Sequence, residues 1–146
     1  MKAFRFNLAR VLDLRESEAK AEESKLEQMY AMRARMEAER DALINGFERM
    51  AVAIKSQQAL QPSELMALDR YKARVEREKT ELAARLRAHE EAIGKQRARV
   101  VEARARVRLL EKLREKRKAE WQVGADREME ELAADFSAAQ WLRERG

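Results

Sequence analysis

The stretch Ala59-Leu60-Gln61-Pro62-Ser63-Glu64 contains the only proline of the chain. A proline fits the first turn of a helix, where its missing N–H has no intrahelical acceptor, and it disrupts a helix interior. On either side the sequence is rich in Ala, Glu, Lys, Leu and Arg, a composition typical of long helices. The stretch therefore divides the chain into two predicted helices, about 7–60 and 62–142, with the turn at about 61–63. Asn7 is a candidate cap for the first helix, and Gln61 or Ser63 for the second. At 1.5 Å per residue the helices would be roughly 80 Å and 120 Å long.

Both segments carry a heptad pattern. In the first, the stripe runs from Leu12 and Ala19 through Leu26, Met29, Met36, Leu43, Phe47 and Met50 to Ile54. In the second it runs from Leu65, Leu68, Lys72 and Val75 through Leu82, Leu86, His89, Ile93, Gln96, Val100 and Ala103 to Val107 and Leu110. Folding the chain at Gln61 with Leu12 opposite Leu110 sets Ala19 against Ala103, Met29 against Ile93 and Phe47 against Val75. It also sets His89 against Arg33. A parallel homodimer would instead bury Arg33 and Arg40 against their own copies, and like-charge repulsion opposes that. The predicted fold is all-α: one antiparallel two-helix coiled-coil hairpin over residues 1–146, its second helix longer than its first. Arg15, Glu22, Arg33, Arg40, Lys72 and Lys79 interrupt the stripe, their stems covering apolar surface while their charges reach water. Gly46, Gly94 and Gly124 are the expected bend points.

Composition narrows the function. Of 146 residues, 40% are charged and only 5% aromatic, so a narrow seam is expected rather than a deep core with a pocket. No Cys is present, which removes thiol catalysis and zinc–thiolate sites. His89 is the only histidine, too few for a metal site of ordinary ligand set. The glycines are isolated, so there is no phosphate loop, and no serine has a histidine neighbour to activate it. Catalysis, cofactors and metals are not expected. No apolar run spans a membrane, and Arg5, Arg10 and Asp13 break any signal-peptide core, so the expected location is the cytoplasm.

The net charge of +5 is unevenly spread. Bases dominate from Lys95 to Lys118, and acids follow from Glu120 to Asp135. Such a basic zone supports non-specific nucleic-acid binding. No aromatic side chains are interleaved with it for base stacking, so nucleic acid is the alternative reading only.

The unequal helices matter more. The second helix keeps its apolar spacing through Trp121, Ala125, Met129, Leu132, Phe136 and Ala139, beyond the point where the first helix can cover it. Only the short Phe4–Phe6 segment remains to face it. An uncovered stripe of this length marks an interface. A second concentration of large apolar residues, Leu43, Phe47, Met50, Leu68, Tyr71 and Val75, lies near the turn.

Three segments then carry a family resemblance: FRFNLARVLDLRESEAKAEESKLEQ from Phe4, LLEKLREKRKAEW from Leu109 and REMEELAADFS from Arg127. Together they resemble the FliJ family of flagellar export proteins, relatives of the stalk proteins of type III secretion injectisomes. The resemblance covers nearly the whole chain. It implies a non-enzymatic stalk of the export apparatus whose paired chain ends enter the hexameric export ATPase. It also implies contact with the membrane export gate and escort of substrate chaperones. On that reading the candidate ATPase-facing residues are Phe4, Phe6, Leu113, Arg117, Trp121, Met129, Leu132 and Phe136. The candidate gate-facing residues are Leu43, Phe47, Met50, Leu68, Tyr71 and Val75. The acidic Glu130-Glu131 pair departs from the more basic segment of many members.

Overall fold

The computed structural model describes residues 2–57 and 59–146. These form two helices, α1 (Ala9–Lys55) and α2 (Pro62–Arg145), folded back as a hairpin. Pro62 is the first residue of α2, and the Gln61 carbonyl accepts from the N–H groups of Glu64 (3.0 Å) and Leu65 (3.3 Å). Proline thus sits where the helix has no use for its missing donor.

The other ends differ from expectation, each for a local reason. α1 stops at Lys55 rather than Leu60. The Ser56 hydroxyl donates to the Ala53 carbonyl at 2.8 Å, competing for an acceptor that would extend the helix. α1 begins at Ala9 rather than Asn7, and the Asn7 side-chain oxygen accepts from Arg117 instead of capping. α2 continues past Leu142 to Arg145. Gly46, Gly94 and Gly124 all lie inside helices that continue through them.

Packing divides the chain into two compact units, Ala21–Val101 and Met1–Lys20 with Glu102–Gly146. In the unit Ala21–Val101, the buried line on α2 is Val75, Leu82, Ile93, Gln96 and Val100. Ile93, 1% exposed, is the most completely enclosed. Burying a side chain of its size contributes about 2–3 kcal/mol. The facing residues of α1, among them Leu26, Met29, Met36, Leu43 and Phe47, are only half-buried, so the seam is one residue deep.

Two polar side chains of α2 reach the backbone of α1 across this seam. His89 Nε2 lies 2.6 Å from the Met29 carbonyl, so this nitrogen carries the proton and donates. Gln96 Nε2 donates to the Glu22 carbonyl at 3.0 Å and also to the Glu22 carboxylate. His89 is expected against Arg33, and the Met29 oxygen it meets points along α1 toward the Arg33 N–H, within a turn of that position. Arg33 itself pairs with Glu90 (3.0 Å), the residue after His89. Phe47 stacks on Tyr71 (5.9 Å, 21°), one turn along α2 from Val75, its expected partner.

Near the turn the stripe shifts by one position. Ala51 and Tyr71 are half-buried, whereas Met50 and Lys72, expected in the seam, are exposed, as is Leu65. Pairing two aromatic rings is favoured over burying a lysine, and that choice rotates the local pattern.

In the unit Met1–Lys20 with Glu102–Gly146, Leu12, Ala19 and Ala103 are buried. Leu8, Val107, Leu110 and Leu113 are half-buried. Cover on α2 ends at Ala125, and every residue from Asp126 to Gly146 is exposed.

Candidate partner-binding surfaces

The eight residues assigned to an ATPase-facing surface separate into two groups. Phe4, Phe6, Leu113, Arg117 and Trp121 form the first. The segment before α1 lies along α2, and the Trp121 indole N–H donates to the Lys2 carbonyl at 3.0 Å. The Phe4 and Trp121 rings meet at 6.1 Å, tilted by 53°. The Arg117 guanidinium lies 5.7 Å from the Phe6 ring centre and also donates to Asn7. Arg117 and Trp121 are therefore engaged within the chain, and Trp121 is not part of the uncovered stripe. An open groove lined by Lys2, Phe4, Arg5, Arg117, Glu120 and Trp121 remains beside them.

Met129, Leu132 and Phe136 form the second group, and they are 67%, 58% and 75% exposed. Their spacing continues that of Trp121 and Ala125, so the seam face of α2 runs on without a second helix against it. Val123 and Leu142 are also exposed, and each falls off the stripe spacing, so no periodic signal in the sequence marks them.

The six residues assigned near the turn are not alike. Val75 is 3% exposed and belongs to the seam. Phe47 and Tyr71 spend one ring face each on the other. Leu43 and Tyr71 line an open groove with Leu82, Glu39, Glu81 and Arg85. Leu68 is half-buried, and Met50 is exposed. A partner at this end would meet Met50 and the rims of Leu43, Leu68 and Tyr71.

The basic zone is partly committed inside the chain. Arg97 Nε donates to the Tyr30 hydroxyl at 2.7 Å, and Arg106 pairs with Glu102 at 2.7 Å. Arg33 and Arg97 both flank the Tyr30 ring, at 5.0 and 5.4 Å. This clamp has no signature in the sequence, because Tyr30 sits one residue off the stripe. Among the described residues, no three His, Cys, Asp or Glu side chains converge as metal ligands, and no helix is long and apolar enough to cross a membrane.

Comparison with known proteins bears on what these surfaces serve. No curated protein and no solved structure matches the chain. The model of one family, the flagellar FliJ protein, matches residues 4–146. That span takes in both helices, the turn and both candidate surfaces: the chain belongs to the FliJ family, a non-catalytic component of the flagellar export apparatus.

Proposed function

We propose that this chain is a stalk that engages the hexameric export ATPase through the open end of its hairpin and links it to the membrane export gate through the turn end. Escort of substrate chaperones belongs to the same reading, as does a place in the cytoplasm beside the export apparatus. The observation that carries it is the bare seam face of α2 beyond Ala125, with Met129, Leu132 and Phe136 exposed on a helix already formed. A preformed apolar helix face binds a groove without first ordering its backbone, which lowers the cost of association. The Phe4, Phe6, Leu113, Arg117 and Trp121 cluster adjoins it on the same unit and would form the inner edge of the contact.

The role is mechanical and regulatory: an asymmetric helix pair seated in a symmetric ring biases its assembly or its order of hydrolysis. The test is hydrolysis and hexamer content of the purified export ATPase, with and without this chain. Wild type is expected to raise both. The triple variant M129S/L132S/F136S is expected to bind about a hundredfold more weakly, from the loss of three apolar anchors. If saturating wild type changes neither quantity, or the triple variant matches it, the reading is wrong.

A further inference from the structure

A second stripe of α2 faces away from the seam. Lys112, Lys116, Ala119, Val123, Asp126 and Glu130 fall within a sector of roughly 80° on a helix of 3.6 residues per turn. It lies on the side opposite Val107, Leu110 and Trp121. All six are exposed, Val123 by 58%. Among the described residues, Lys112, Lys116 and Glu130 make no ion pair within the chain, and Asp126 accepts only from its neighbour Gln122.

The stripe is ordered by charge: two bases, two small or apolar residues, two acids. Reversed end to end about the level of Trp121, it becomes its own complement. Lys112 meets Glu130, Lys116 meets Asp126, and Ala119 meets Val123. We propose that this outer stripe is an isologous contact with a second copy of the chain, the two α2 helices antiparallel. A two-fold axis repeats every pair, so two copies share four ion pairs around a centre made of Ala119 and Val123. A parallel pairing sets like charges together, and no other antiparallel offset matches all three pairs. The small central residues let the helices approach closely, as antiparallel contacts need.

The contact is centred about 100° or more around the helix from Met129, Leu132 and Phe136, so it uses a different face from the proposed ATPase-facing surface. Exposed ion pairs are individually weak and screened by salt, so the dimer is a weak, salt-sensitive one.

Sedimentation of the full chain is expected to show concentration-dependent dimer at about 0.05 M salt and its loss at about 0.5 M. The variants K112E/K116E and D126K/E130K are each expected to stay monomeric, with association weakened at least about tenfold. Mixed together they regain all four opposite pairs, and a heterodimer should form. That recovery separates a lost contact from a misfolded chain. The proposal is overturned if wild type is monomeric throughout at low salt, or if the mixture of correctly helical variants fails to pair.

Discussion

Two glycines stand inside long helices, and nothing in the structure requires them. A Cβ built at Gly46 or at Gly94 meets nothing within 4 Å, and neither residue has a positive φ. Glycine in a helix interior is less favourable than alanine by about 0.8–1.0 kcal/mol, through the freedom it retains when unfolded. With no clash to subtract, each Gly→Ala change should return nearly that full amount. The two sites lie on different helices and a Cβ at either meets no neighbour, so their effects should add to about 2 kcal/mol. Both belong to the unit Ala21–Val101, which should gain the stability. For a chain of this length that corresponds to a rise in Tm of roughly 4–8 °C. The assay is urea unfolding followed by circular dichroism at the helical minimum, with G46A, G94A and the double variant side by side. The midpoint should move up in steps with an unchanged slope. The converse change at the exposed helical residue Ala98, A98G, should lower it by about 1 kcal/mol. A double variant no more stable than wild type would refute the reasoning, because it would mean that a bend or close approach depends on these glycines.

Two further outcomes follow from burial. Ile93→Ala removes the most enclosed side chain and should cost about 2–3 kcal/mol in urea unfolding, the low end of the usual range because a one-layer seam collapses or hydrates easily. Leu109→Ala, at a residue 69% exposed, should change stability by less than about 0.5 kcal/mol, and equal costs would contradict the assigned seam. The two tryptophans should report different surroundings: W141F, which retains half-buried Trp121 against Phe4, should emit to the blue of W121F, which retains Trp141, 53% exposed. Equal emission and equal quenching by acrylamide would mean that the segment before α1 does not hold Trp121.

The hairpin was legible because one proline interrupts an otherwise uniform helical composition, and because heptad spacing is a robust signal over many turns. The polar contacts to the backbone of α1 were not. Gln96 and His89 reach carbonyls of α1, and a side chain's preference for a backbone acceptor has no sequence signature. The same holds for Tyr71, whose partner Phe47 rotates the stripe near the turn. At the other end, the unequal helices foretold an uncovered face with its residues Met129, Leu132 and Phe136. They did not foretell that the segment before α1 would hold Trp121 through a backbone carbonyl, since that contact depends on no side chain at Lys2.

The cover on α2 ends at Ala125, and folding and recognition part company there. Up to that residue a substitution on the seam face is answered by the hairpin's own stability. Beyond it every residue of α2 is exposed, so a change of side chain on the stripe alters mainly local helix propensity, a few tenths of a kcal/mol per site. The helix from Asp126 to Arg145 is therefore held mainly by its own backbone bonds and should open in hydrogen exchange well before the hairpin does. Its sequence can be rewritten without refolding the rest. Under the function proposed above, retargeting this protein to a different partner is then a problem confined to one bare helical face.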